Sequence, residues 1–220
     1  MFRSIFKPYG TVWTLLNTIT DVLGLSLLWC LCSLPIITVG AATTALYDAA
    51  VRGIRYGQPG LYRRFFRTFK NELLTASLAT LVWGALLVFC SYVLAFLTEA
   101  GAENTGAAIM GGAYRAFMLF PIGAACWSCT ILSRFTYGFR DLILISLRFL
   151  PAHLPSSLGL ALLTWVGFRF CLSYSLSLTF APALLALGWS VLAEPVFAKH
   201  GGGITQEPNP EKEAEEAENE

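Results

Sequence analysis

The sequence predicts an all-α fold, a polytopic membrane helical bundle of about five transmembrane helices with short cytoplasmic interfacial helices. Three observations carry this reading. Residues 73–97 contain no charged side chain, and a helix of that composition satisfies its own backbone in lipid while its side chains prefer hydrocarbon to water. Hydrophobic residues make up 55% of the chain and charged ones 13%, about half the share usual in a soluble domain. Lysines and arginines cluster in alternate gaps between the apolar runs, the bias that keeps a loop on the cytoplasmic side of a membrane.

Taken in order, the first span falls at residues 19–40, with Pro35 expected to kink or end its regular part because proline has no N–H to donate. A polar stretch over 41–72 follows, broken by the turn signal Gly57-Gln58-Pro59-Gly60. The second span is 73–97, and a small, acidic loop over 98–106 leads into a third at 108–133. Residues 134–156 are again basic and interrupted by Pro151 and Pro155. The last apolar region is too long for one crossing at about 1.5 Å per residue. It divides into spans at 157–176 and 179–197, with Pro182 placed in the first turn of the fifth. Residues 1–200 thus form one integral membrane domain, and the Glu-rich segment 201–220 reads as a disordered acidic cytoplasmic tail. A cleaved signal peptide is the weaker reading of the first run, which is longer than the apolar core of about 7–15 residues that such peptides carry.

Arg52, Arg55, Arg63, Arg64, Arg67 and Lys70 fill the first gap, and Arg134, Arg140 and Arg148 the third. The second gap holds only Glu99 and Glu103, and the fourth has no charge. Gaps one and three therefore face inward. With five spans, a multi-pass protein of the cell membrane results, its amino terminus outside and its carboxyl terminus cytoplasmic. Arg3 and Lys7 oppose this orientation but are outnumbered.

Composition also narrows the chemistry. A net charge of +1 supplies no surplus of cations for a nucleic-acid partner. The six cysteines all lie inside apolar runs, unlike a secreted disulfide framework. His153 and His200 have no metal-ligand spacing, and no glycine-rich phosphate loop is present. No cofactor and no enzymatic activity are expected, and oligomeric state is left open.

The stretch LPIITVGAATTALY at 34–47, followed by GLYRRFFRTFKN at 60–71, resembles the signature of the YesL-like family of small bacterial integral membrane proteins, a domain-of-unknown-function family. The resemblance runs over residues 10–199 and leaves the tail out. It implies a bacterial multi-span protein without a defined activity, in a genomic context of carbohydrate uptake and breakdown. No catalytic residues come with it.

Two groups of residues are candidates for function. At 100° per residue, Leu61, Tyr62, Phe65, Phe66 and Phe69 cover one arc, and Arg63, Arg64, Arg67 and Lys70 the opposite one. Such a helix is expected to lie in the cytoplasmic interface, with rings among acyl chains and arginines on anionic head groups. It acts either as an anchor that fixes topology or as a docking surface. The second group is an intramembrane polar cluster of Asp21, Arg115 and Arg169, all expected at outer-leaflet depth. An unpaired charge there costs on the order of 2.5–3.5 kcal/mol, so an Asp21–Arg169 or Asp21–Arg115 pair is expected. Glu194 is expected to meet Arg134 or Arg148 near the inner face.

Cys126 and Cys129 stand at i and i+3 on one helical face. Membrane thiol oxidoreductases use such pairs, but also need loop-borne cysteines, and the loops here have none. Three functions follow. The leading one is an accessory or regulatory membrane component that associates with a carbohydrate transporter in the lipid bilayer. A small transporter or channel for a small anion or sugar is the alternative, resting on Asp21, Arg115 and Arg169. The third is an intramembrane thiol redox enzyme. An importer permease with a coupling helix over 140–155 is set aside, because the Glu-Ala-Ala and glycine pattern of such helices is missing.

Overall fold

The computed structural model describes residues 11–101 and 105–199. The expected tail at 201–220, with Arg3, Lys7, Glu103 and His200, lies outside the described residues. The chain folds as α1 (Thr11–Cys32), a 3-10 turn (Ile36–Thr38), α2 (Val39–Ala49), a π-helical segment (Ala50–Arg55), α3 (Leu61–Ala100), α4 (Thr105–Phe117), α5 (Leu119–Leu132), α6 (Phe139–Ala152), α7 (Leu154–Ser173), a second 3-10 turn (Ser175–Thr179) and α8 (Ala181–Lys199). Among the described residues there is no strand, so the all-α expectation holds. Four helical stretches are long and apolar enough to cross a membrane: α3, the joined α4 and α5, α7 and α8, with Leu16–Cys32 as a shorter apolar helix.

The first span ends sooner than residue 40. α1 stops at Cys32, and the chain turns through Ser33, Leu34 and Pro35. Pro35 pushes Leu34 out of the helical region, so the helix must close before it. The polar stretch assigned to 41–72 is also corrected, because it holds a buried helix. α2 packs against α3, with Gly40 close on Thr80 and Ala76 and Asp48 accepting from Thr68, and glycine there lets the two backbones approach closely. A methyl group at Gly40 would overlap Thr80 Oγ1 and lie 2.9 Å from the carbonyl of Ala76. The predicted turn is present: Gly57 and Gly60 adopt φ of 67° and 82°, values that glycine reaches without steric cost.

The expected interfacial helix at 61–70 is not a separate element. It runs straight into the second span as α3, 40 residues long and thus about 60 Å from end to end. Nothing between Lys70 and Leu73 breaks it, and the whole helix contains no proline and a single glycine, Gly84. The third span, expected as one helix over 108–133, is divided at Met118. Pro121 explains the division, since its ring crowds the carbonyl four residues earlier, at Phe117, and offers that carbonyl no N–H. The basic segment 134–156 contains α6, which is a helix rather than a loop. Its division from the last hairpin, and of α7 from α8 near 175–179, falls where proline and polar residues were placed.

A single core joins α1, α2, α3, α5, α6, α7 and α8. Trp127, Tyr47, Phe65 and Phe197 are its largest fully buried side chains. Trp127 on α5 donates its indole N–H to Ser157 Oγ of α7 at 2.8 Å and meets the ring of Phe197 on α8 edge-on, centroids 5.9 Å apart. α7 and α8 run antiparallel, with Leu185 seated on Gly167 and Leu192 on Gly159. Outward, α3 exposes Val88, Phe89, Tyr92 and Phe96, a surface that suits hydrocarbon and not water.

Candidate functional site at the arginine-rich end

α2, the π-helical segment, the first turns of α3, the α5–α6 connection and α8 converge on a buried charge network. Arg134, just beyond α5, is 2% exposed at its side chain and donates Nη2–H to Glu194 Oε1 of α8. Tyr47 Oη–H donates to the same oxygen at 3.0 Å, and Tyr56 Oη–H reaches Oε2 at 3.4 Å. Asp48 accepts from Thr68 Oγ1 of α3 at 2.8 Å. It also holds Arg52 Nε in a 2.8 Å ion contact and lies 4.0 Å from Arg134 Nη1. The Arg134 guanidinium stands over the Tyr47 ring at 5.8 Å. Burial and the neighbouring Glu194 carboxylate raise the Tyr47 hydroxyl far above its usual range, so it stays a proton donor at any working pH.

The π-helical segment sets part of this geometry. Its wider turn takes Tyr56 N–H back to the Val51 carbonyl at 3.1 Å, and Arg55 Nη1 from it donates to Ser190 Oγ on α8 at 2.7 Å. Such widened turns recur at functional sites because they re-aim side chains that a regular helix would space evenly.

Beside the network opens a cleft of about 920 Å³. Its walls carry Arg52, Arg63, Arg64, Arg67 and Arg134 against two carboxylates, Asp48 and Glu72. A second cavity, about 490 Å³, is apolar and sits between α2, α3, α5 and α7. Cys126 and Cys129 line it. Both are free thiols, and Cys126 Sγ lies 3.1 Å from Thr164 Oγ1. Among the described residues, no group of three or more metal-ligating side chains assembles.

The sequence-predicted residues divide. Of the amphipathic arc, Phe65 is fully buried and stacks on the half-buried Phe69, centroids 6.2 Å apart, whereas Tyr62 and Phe66 are exposed. Arg63, Arg67 and Lys70 are exposed and Arg64 is half-buried. Glu194 meets Arg134, as expected, while Arg148 is exposed. The cluster of Asp21, Arg115 and Arg169 does not assemble. Arg115 and Arg169 are exposed, and among the described residues neither forms an ion pair with Asp21. Asp21 instead shares a recess with Gly53, Gly57 and Arg63. The middle of α1, at Asp21 and Gly24, therefore lies beside the arginine-rich turn and not across the bundle from it. The pairing had placed Asp21 by an amino terminus on the far side, and the packing of Gly24 on Tyr62 overturns that placement.

Asp48, Tyr47 and Tyr56 were not singled out from the sequence, and Arg52 entered only as one of the cations that orient the loops. The available signal was Tyr47-Asp48 within the run AATTALYDAA at 41–50, where one acid among small apolar residues on a helix demands a partner.

A bundle of apolar helices with a polar network at one end fits an integral membrane protein of undefined activity. Residues 22–94 match a protein family described as a protein of unknown function, DUF624. The matched stretch carries Asp48, Arg52 and Thr68 of the network, whereas Arg134 and Glu194 fall beyond it. Neither the comparison with curated proteins nor that with solved structures gives a match.

Proposed function

We propose that this protein is an accessory or regulatory component of a membrane carbohydrate-uptake system, with its arginine-rich end on the cytoplasmic side. The observation that carries the reading is the outer face of α3 at its start. Tyr62, Arg63, Phe66, Arg67 and Lys70 are exposed together on a helix that continues unbroken into a membrane-crossing segment. Aromatic rings interleaved with arginines supply the contact area and directional charge that protein interfaces favour. The carbohydrate setting rests on the resemblance of residues 34–47 and 60–71 to the YesL-like family. The positive-inside bias supports the orientation, and it then puts the start of α1 and the end of α8 on the cytoplasmic side as well. An amino terminus outside is accordingly not part of this proposal.

Co-purification from a mild detergent tests it. The wild-type chain should retain a carbohydrate transporter subunit, and Arg63→Glu with Arg67→Glu should release it while the protein keeps its elution profile. Sugar or anion transport by the pure protein in liposomes, with no partner retained, would favour the transporter reading instead.

A further inference from the structure

We infer that the cleft beside Arg134 is a binding site for a phosphate-bearing anion, a phosphomonoester or polyphosphate group, and this holds whether or not a protein partner docks on α3. Charge alone does not carry the inference, because an arginine-rich helix end is also what membrane topology demands. Arg134 does. Its side chain is 2% exposed and forms part of the cleft wall. Only Nη2 has a hydrogen-bond acceptor, whereas Nε and Nη1 have none among the described residues. A guanidinium buried with two N–H groups unmatched is costly, and Asp48 at 4.0 Å is too far from Nη1 to accept from it.

The rest of the wall fits the same chemistry. Five guanidinium groups stand against Asp48 and Glu72 in the walls and Glu194 paired with Arg134, which leaves two positive charges in excess. One of those carboxylates, Asp48, is already engaged by Arg52 and Thr68. Guanidinium forks match tetrahedral oxyanions in two-point hydrogen bonds, and an excess of this size favours a group with two or more negative charges over a single carboxylate. Thr68, Asn71, Ser133 and Thr136 add neutral polar groups to the same walls. A volume of about 920 Å³ takes far more than a bare phosphate, so a phosphorylated molecule or lipid headgroup fits.

Binding is read on the full chain at constant ionic strength, so that simple screening cancels. In neutral detergent the titrants are inorganic phosphate, pyrophosphate and acetate. In nanodiscs, phosphatidic acid, a phosphomonoester lipid, is compared with phosphatidylglycerol, a phosphodiester. Saturable thermal stabilisation by pyrophosphate or phosphate assigns a soluble ligand, and stabilisation confined to phosphatidic acid assigns a headgroup. In either case Arg64→Gln with Arg67→Gln, both on the cleft rim, should weaken binding at least about tenfold. Arg140→Gln, exposed and off the cleft, should leave it within about twofold. Arg134→Lys, which keeps the charge but not the fork, should weaken it as well. If that variant fails to fold, the rim pair still decides. No saturation by about 10 mM, equal stabilisation by acetate, or indifference to the rim substitutions overturns the assignment.

Discussion

Replacing Arg134 by leucine should destabilise the bundle more than any other single change at the arginine-rich end. Arg134 and Glu194 are 2% and 6% exposed at their side chains and in direct contact. At an effective dielectric near 20 and a separation of about 3 Å, unit charges attract by about 5 kcal/mol, a gain largely offset by the removal of both from water. Deleting one partner forfeits the attraction but not the desolvation. Among the described residues, Glu194 would retain only the hydroxyls of Tyr47 and Tyr56, and Asp48 would lose its second cation. The expected loss is about 3–5 kcal/mol. Arg134→Leu with Glu194→Leu should cost less than the two single changes together, with a coupling of about 3 kcal/mol. Reversible unfolding in mixed micelles with rising dodecyl sulfate, followed by tryptophan fluorescence, measures all four corners of the cycle. Additive single effects, or a loss below about 1 kcal/mol for Arg134→Leu, would refute the view that this pair locks α5 to α8.

Other expectations follow from packing. Gly40→Ala should destabilise the protein by about 1–3 kcal/mol, because the new methyl meets the Ala76 carbonyl at 2.9 Å. Gly84→Ala, with nothing within 4 Å, should be neutral or stabilising by up to about 1 kcal/mol in the same unfolding assay. Ser128→Ala should cost about 1–3 kcal/mol in the same assay, since Trp83 Nε1–H donates to Ser128 Oγ at 2.8 Å inside the core. Cysteines placed at Arg63 and Arg140 should react with an impermeant maleimide only from the cytoplasm, and one at Glu99 only from outside. Labelling of positions 63 and 99 from one side would show that α3 does not cross.

The helical class and the crossing segments were legible because a charge-free run has one physical solution in lipid, and residues 73–97 are such a run. Pro182 marked the start of α8 for the same kind of local reason. What failed was long-range. Hydropathy reads Ala41 to Ala50 as a weak, short stretch, yet it is buried among α1, α3, α5 and α8, and only those neighbours make that segment a core element. The Arg134–Glu194 contact was legible because each was a charge in apolar surroundings near the same face. Asp21 looked equivalent but was assigned to the wrong end, since the span count alone fixed the direction of α1. Asp48 went unremarked because a charge beside a basic stretch reads as solvated until α2 is known to be buried.

The continuity of α3 makes it a rigid shaft, with the hydrocarbon gripping one part and the arginine face fixed to another. Position along such a shaft and angle about it are locked together: each residue added between Lys70 and Leu73 would raise the arginine face by about 1.5 Å and swing it by about 100°. One extra residue would therefore tear Phe65 from the core and Thr68 from Asp48, and about seven, close to two full turns, would restore the heading roughly 10 Å further out, where α2 and the core around Phe65 would have to move with it to keep those contacts. The height of this surface above the bilayer is thus quantised by the helix repeat. Evolution can lengthen it only in steps of whole turns, or by breaking the shaft that gives the surface its fixed bearing.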